Sequence, residues 1–254
     1  ERGMSNQITP INVKTIHSKN SSLNRIETIV SLADYLGYTT LGICDYNFNG
    51  ANEFFKQTIT NDIKPIFSLD LKEIIVVVKN RNGFINLSNL EAKNEITFKT
   101  LANIQKDLAF IIPQEVALNN NFSIQKYKIF NEIYLEIRDN QEVITLSKKY
   151  NIPLIANAKI TYPYEKYPEF IEKFNKINNQ KIIVNNEFYS GTYLKSDYGY
   201  FPKEAIINNQ KLIKSIKKVD VNNFFPKLKR GYRDIKKELF QKLENGKQKR
   251  NVGD

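Results

Sequence analysis

Residues 11–69 decide the fold, and they read INVKTIHSKNSSLNRIETIVSLADYLGYTTLGICDYNFNGANEFFKQTITNDIKPIFSL. Three short β-rich segments, at 11–16, 39–44 and 65–69, are separated by two stretches in which apolar residues follow helical spacing. Asn24 can cap the first of these helices. Strands and helices that alternate at this spacing are typical of parallel crossover units, so this stretch predicts an α/β fold.

The alternation of strand and helix continues toward the C-terminus. Residues 74–78 form an uninterrupted apolar run typical of a buried strand, and Asn82-Gly83 predicts a turn after it. Further strands are predicted at 108–112, 133–137 and 153–157. Because the strand count approaches seven or eight and no Gly-rich phosphate loop follows the first strand, the pattern favours a distorted parallel α/β barrel over an open doubly wound sheet.

The composition limits the chemistry that the chain can perform. Cys44 is the only cysteine and cannot form an internal disulfide, and the only histidine, His17, cannot build a His-rich zinc centre. No stretch approaches the roughly 20 consecutive apolar residues of a membrane-crossing helix, and the N-terminus lacks a secretory pattern. We therefore expect a soluble, cytoplasmic protein.

The formal net charge of the 254-residue chain is +11, and the excess is concentrated at the C-terminus. Ten basic and four acidic residues lie from Pro226 onward. We expect three parts: an N-terminal extension at 1–10, which includes a tag remnant if Met4 is the native start, a barrel domain at 11–225 and a short basic helical extension at 226–254.

The basic extension has two interpretations. A run of like charge is usually a solvated helix face, and the alternative is a contact with nucleic acid, whose phosphates attract such a run. The residues that would make this contact are Lys227, Lys229, Arg230, Arg233, Lys236 and Lys237.

Polar side chains follow the predicted strands at their carboxyl ends. In parallel α/β barrels the chemistry lies at this end, because the loops that follow the strands meet there. The residues that we place on this rim are Thr15, His17, Asp45, Asp70, Asn140, Lys159 and Thr161.

Several motifs, in this order and at this spacing, resemble the opening of bacterial DNA polymerase III alpha subunits of the DnaE type, in particular their polymerase-and-histidinol-phosphatase (PHP) domain. The resemblance covers most of residues 11–230. It is carried by NVKTIHS (12–18), LGICDY (41–46), GANEFFK (50–56), IKPI (63–66), YLEIRD (134–139), IPLIA (152–156) and YLKS (193–196).

The resemblance implies that a metal site has degenerated. An intact family member carries His-x-His after the first strand, where this chain has Thr15 and His17, and Asp-His after the second, where it has Asp45 and Tyr46. Asp70 keeps the acidic residue after the third strand, whereas Asn140 stands where a histidine is usual. The final Asp-x-His is replaced by Lys159 and Thr161.

This loss leads us to expect no metal in the segment. Only His17, Asp45 and Asp70 keep ligand chemistry, and three ligands suffice at most for one weak zinc ion, which is the alternative. Lys159 is expected to act as a counter-ion that replaces the metal and neutralises Asp45 and Asp70. Each of these side chains also has a purely structural interpretation, as a strand-end hydrogen bond, a cap or a surface position.

The resemblance implies a function that the segment performs without catalysis. The parent chain would be a DNA-directed DNA polymerase, a nucleotidyltransferase whose Mg²⁺-binding carboxylates lie in a palm domain absent here. This segment would be a scaffold for the polymerase core in DNA replication, with a proofreading exonuclease subunit and DNA as further partners. The alternatives are a metal-dependent phosphoesterase or 3′–5′ exonuclease, and a basic nucleic-acid-binding module.

Overall fold

The structure is a computed structural model, and it describes residues 8–178, 181–199 and 201–221. The predicted basic extension at 226–254, with its six candidate nucleic-acid contacts, lies outside the described residues. The predicted domain boundary at residue 225 lies outside them as well. Within the described part, no helix combines the length and the apolar character needed to cross a membrane.

The strands of the described residues form one sheet in the order β7-β6-β5-β4-β3-β2-β1-β8-β9. Their bounds are β1 Asn12–Val13, β2 Thr40–Asp45, β3 Lys64–Asp70, β4 Ile75–Val78, β5 Leu108–Ile112, β6 Ile133–Ile137, β7 Leu154–Ala156, β8 Lys159–Tyr162 and β9 Thr192–Tyr193.

Helices connect most of these strands, which confirms the predicted α/β class. The helices are α1 Ile26–Tyr35, α2 Ala51–Thr60, α3 Arg81–Ala92, α4 Phe98–Asn103, α5 Gln114–Ala117, α6 Glu142–Tyr150, α7 Tyr167–Asn178, α8 Asn186–Ser190 and α9 Lys203–Ser215, with 3₁₀ turns at Gln105–Asp107 and Ile124–Tyr127.

One strand departs from the expected parallel arrangement. β4 runs antiparallel to both of its neighbours, β3 and β5, whereas the other pairs are parallel. Only residues 71–74 connect β3 to β4, and Lys72 adopts a positive φ of 67° in this turn. A connection this short cannot hold the crossover that a parallel pair requires, so the chain reverses.

The sheet curls because β7 and β8 are nearly one bent strand. Residues 157–158, which we call the joint, are all that separates Ala156 at one end of the sheet order from Lys159 near the other. Three residue steps span at most about 11 Å, so the two ends of the sheet must approach each other. Asn209 of α9 ties them together, since its side-chain amide donates to Ala156 at 3.1 Å and to Thr9 at 3.0 Å.

Both faces of the curled sheet are packed. The inner face holds a buried apolar cluster that includes Ile66, Val77 and Ile111, and Leu212 of α9 completes it. On the outer face, Phe67 of β3 contacts Phe54 of α2 and Phe84 of α3 at ring-centroid distances of 5.9 and 5.1 Å. Fixed packing on both faces gives the strand ends a rigid frame.

Candidate functional site

Asp45, at the end of β2, is held by neutral donors. It is 1% exposed, and its Oδ1 accepts the backbone N–H of Thr15 at 2.7 Å and the hydroxyl of Ser18. Its Oδ2 accepts the hydroxyl of Thr15 at 2.6 Å. Both carboxylate oxygens therefore have protein partners. The residue that stands at a family histidine position, Thr15, supplies two of the three hydrogen bonds.

The charge on Asp70 is neutralised by Lys14, a residue that the sequence interpretation did not single out. Lys14 follows β1 and its side chain is fully buried. The ammonium forms an ion pair with Asp70 Oδ2 and donates to the Cys44 carbonyl at 2.5 Å. It also lies 4.9 Å from the centre of the Tyr46 ring. We call these four residues the Lys14 cluster.

The surroundings keep the Lys14 side chain charged. Burial by itself lowers the pKa of Lys14, but the negative charge of Asp70 and the hydrogen bond to its carboxylate oppose burial, and this pKa lies above its ordinary value overall. Burial raises the pKa of the Cys44 thiol, which remains protonated and lacks the reactivity of a thiolate.

Tyr46 links the Lys14 cluster to α8. Its hydroxyl donates to the carboxylate of Glu187 and lies 3.2 Å from the Ser21 hydroxyl. Burial raises the pKa of Tyr46, and the hydrogen bond to Glu187 adds to this. Burial would raise the pKa of Glu187, but the Tyr46 hydroxyl and the positive charge of Lys159 lower it overall.

His17 does not join the two aspartates. Its backbone N–H donates to the Thr15 hydroxyl at 3.2 Å, and its Nε2 lies 4.0 Å from a carboxylate oxygen of Glu53 on α2. The ring packs against Gly50, where an added Cβ would lie only 2.6 Å from it. Across residues 8–178, 181–199 and 201–221, no three His, Cys, Asp or Glu side chains form a group that could hold a metal ion.

Lys159 lies among other partners than those expected. It is 5% exposed, and its ammonium is 3.6 Å from Glu115. We expected Lys159 to form ion pairs with Asp45 and Asp70, and this expectation is wrong. Lys14 pairs with Asp70, and hydroxyl and amide donors hold Asp45. The cause is topological, because Lys159 is the first residue of β8 and not the end of a strand.

Lys159 belongs to a second group, the Lys159 cluster, with Glu115, Glu136 and Arg138. The Arg138 guanidinium pairs with Glu115, and its Nε lies 3.2 Å from Glu136. Glu136 is buried and accepts the Asn157 side-chain amide of the joint at 2.8 Å. Burial raises the pKa of Glu136, and attraction by Arg138 partly opposes this.

A cavity of about 200 Å³ opens beside the Lys159 cluster. It is lined by Arg138, Lys159 and Lys195, and also by Asp139. Glu115 and Glu136 face the first two of these cations. These two cations are therefore paired with acids that lie outside the cavity lining, which reduces the positive charge that they present to the cavity.

The last two predicted rim residues make local structural contacts. Asn140 accepts the backbone N–H of Glu142, the first residue of α6, at 2.8 Å. Thr161 donates its hydroxyl to the Phe188 carbonyl at 2.7 Å, and Gly191 packs directly against it.

The charged residues that the sequence interpretation missed fall into two groups. Lys14, Glu136 and Arg138 are charged residues within or next to apolar strand segments, and Glu115 and Glu187 lie on short helices. A charge inside an apolar strand is rarely left unpaired, so the first three could have been recognised as members of buried ion pairs.

These features define a class of protein, an α/β barrel-like fold with polar residues gathered where its strands end. Within this class the chain belongs to the PHP domain family, whose model matches residues 12–184, more than half of the 254 residues. No curated protein matches the sequence.

Among solved structures, the chain is similar to an inferred metal-dependent phosphoesterase from Bifidobacterium adolescentis. The identity is 10% and the TM-score 0.42, over 60% of this chain and 87% of that chain. A likeness at this level carries no argument about activity.

The residues present do not fit the metal site that the family implies. A cation at Asp70 would meet the Lys14 ammonium, which already occupies the space between Asp70 and the Cys44 carbonyl. Both oxygens of Asp45 have donors within the protein, and His17 faces Glu53. The arrangement stabilises strand ends and offers no group of ligands for metal-assisted hydrolysis.

Proposed function

We propose that this chain is the N-terminal PHP domain of a bacterial DNA polymerase III alpha subunit, and that it serves as a catalytically silent, metal-free scaffold. Its partners are the remainder of the polymerase chain, a proofreading exonuclease subunit and DNA. Polymerisation itself belongs to the palm domain with its Mg²⁺ ions. The place of replication in bacteria makes the proposed location cytoplasmic.

One observation supports the proposed lack of catalytic activity. Both aspartates that remain from the degenerate motifs are bound by other residues of the chain. Asp45 is bound by Thr15 and Ser18, and Asp70 by Lys14. Each oxygen of the two carboxylates already accepts a hydrogen bond within the chain, so an ion would have to compete with these donors for its ligands. The assignment to the polymerase is supported by the order of the motifs and by membership of the PHP family.

Metal content and hydrolysis test the silent part of the proposal. The purified chain, incubated with Zn²⁺ or Mn²⁺ and then dialysed, should retain far less than one metal ion per chain by mass spectrometry. It should also release no nucleotide from single-stranded DNA. Chelator-sensitive release that disappears in the His17→Ala variant would overturn the proposal and favour the metal-dependent phosphoesterase or exonuclease.

The size of the native protein tests the polymerase part. An antibody raised against this 29.6 kDa segment should detect, in extracts of the source organism, a chain several times larger that also carries polymerase activity. A native protein of about the segment's own mass would contradict the assignment. Salt-sensitive DNA binding by such a small protein, lost on removal of residues 226–254, would favour the basic nucleic-acid-binding module.

A further inference from the structure

We infer that the ammonium of Lys14 takes the place of a metal ion. The site that this side chain fills has a chemistry that suits an alkylammonium cation. This inference rests on the proposed function, because it assumes that the domain works without metal. It assigns the substituting cation to Lys14, at the ends of β1, β2 and β3, and not to Lys159.

The donors and acceptors of the Lys14 cluster match an ammonium group. An ammonium has three N–H donors and no acceptor. Here they meet the Asp70 carboxylate, the Cys44 carbonyl at 2.5 Å and, as a weak third acceptor, the Cys44 sulfur at 3.9 Å. The Tyr46 ring adds a π-face 4.9 Å from the nitrogen, an arrangement that also attracts alkylammonium ligands.

The same atoms suit zinc poorly. Zinc in proteins takes four ligands from thiolate, imidazole and carboxylate groups. Among the described residues, the ammonium pairs with one carboxylate, that of Asp70, and its other contacts are the Cys44 carbonyl and, at 3.9 Å, the Cys44 sulfur. A carbonyl, a thiol and an aromatic face recognise an organic cation and not a divalent metal.

Lys14 is fixed at its backbone as well as at its ammonium. The Lys14 carbonyl accepts the Ser22 hydroxyl at 2.7 Å and the Asn24 side-chain amide at 2.9 Å. The side chain therefore leaves a fixed point after β1 and reaches across to the ends of β2 and β3. Because a buried charge without a partner is very unfavourable, the ammonium ties these three strand ends together.

Chemical rescue tests whether the position recognises an alkylammonium. Lys14→Ala removes the equivalent of n-propylamine and leaves a space of that shape next to Asp70. The melting temperature should fall by roughly 10 °C and should recover, in a saturable way, with millimolar n-propylammonium at neutral pH. n-Propanol, which has similar size and no charge, should give no recovery.

Lys14→Met is the matched control variant, because methionine fills the space without a charge. It should be destabilised like Lys14→Ala but should not respond to n-propylammonium. Equal responses of the two variants, or a Lys14→Met protein as stable as the wild type, would overturn the inference. Stabilisation of Lys14→Ala by Zn²⁺ or Mn²⁺ in preference to the amine would overturn the assignment to an alkylammonium.

A double-mutant cycle keeps the test decisive if Lys14→Ala does not fold. Asp70→Asn should lower the melting temperature strongly in the wild type and only slightly when Lys14 is already methionine. Losses that add independently would contradict the inference. Its failure is separable from that of the proposed function: additive losses in a metal-free chain leave the scaffold intact, whereas a resident metal in the wild type refutes the silent scaffold.

Discussion

The Lys14 cluster and the Lys159 cluster each hold a buried lysine, yet they differ in what surrounds the partner acid. Asp70 is 10% exposed and Lys14 is the cation paired with it, whereas Glu115 is 52% exposed and pairs with both Arg138 and Lys159. Water can solvate Glu115 after the loss of a cation, but it reaches Asp70 poorly. The solvation of the partner, more than the burial of the lysine, therefore sets the strength of each pair.

The largest expected effect is the difference in stability loss between variants of the two lysines. Lys14→Met leaves the Asp70 carboxylate, whose side chain is only 10% exposed, without its cation and should lower the free energy of unfolding by roughly 3–5 kcal/mol. Lys159→Met leaves Glu115 half-exposed and still paired with Arg138, so the expected loss is about 1 kcal/mol or less. Urea denaturation of the two variants measures the difference. Equal losses would show that the exposure of the partner is not decisive.

Asp45 provides a neutral counterpart to the ion pair of Asp70. Asp45→Asn removes the charge that orients three donors and leaves at least one buried donor unpaired, so we expect a loss of roughly 3 kcal/mol. Thr15→Val removes one hydroxyl donor and keeps the backbone N–H bond, and should cost about 1.5 kcal/mol. Urea denaturation compares them, and a Thr15→Val loss as large as that of Asp45→Asn would contradict this order.

Opposite pH dependences should distinguish the two regions further. Burial raises the pKa of Glu136 in the folded state, so its contribution to stability declines as pH rises from the ordinary value of 4.5 through the folded pKa. Glu136→Gln should flatten this decline. The lowered pKa of Glu187 has the reverse effect, since its contribution is present above 4.5 and is lost as pH falls below it.

Stability measured by urea denaturation across pH 3–8 tests both signs. Glu187→Gln should flatten the acid side of the profile, and Glu136→Gln the side above it. An exchange of these effects, with Glu136→Gln acting on the acid side, would contradict the burial of Glu136 as the cause of its raised pKa.

The smallest expected effect concerns His17. Its side chain is 27% exposed and its contact with Glu53 is long, at 4.0 Å, so His17→Ala should change the free energy of unfolding by about 0.5 kcal/mol or less. Urea denaturation in the presence and absence of a chelator measures the change. A large loss that depends on the chelator would reveal a metal at His17.

The sequence predicted the α/β class and the positions of most strands, but the partner of Asp70 required the structure. The resemblance directs attention to positions 15, 17, 45 and 70, where family ligands stand, and Lys14 is not one of these. Neighbouring side chains along a strand point to opposite faces, so the sequence alone predicts that Val13 and Lys14 lie on different faces. Which acid Lys14 meets depends on the pairing of β1, β2 and β3, which is not local.

Local propensity was overridden at two asparagine positions. Asn82-Gly83 predicts a turn, but both residues lie in α3, because the side chain of Asn80 caps that helix by accepting the Gly83 N–H. Asn24 was expected to cap α1. Its side chain instead donates to the Lys14 carbonyl, and Arg25 takes the capping position without a side-chain bond. In the first case a helix cap two residues upstream decides the outcome, and in the second a contact with a residue ten positions away does.

Because of the joint at residues 157–158, the effect of a chain break on the fold depends on where the break is placed. Asn157 and Ala158 are both buried, and they alone link the strand beside β6 to the strand beside β1. A circular permutant opened there would lose the covalent link between β7 and β8. The two sides would then be held by non-covalent contacts, such as the hydrogen bonds of Asn209 and the one from Asn12 to Glu136. One opened at Lys72-Glu73, in the exposed hairpin turn, would keep every strand neighbour, so new termini belong at that turn.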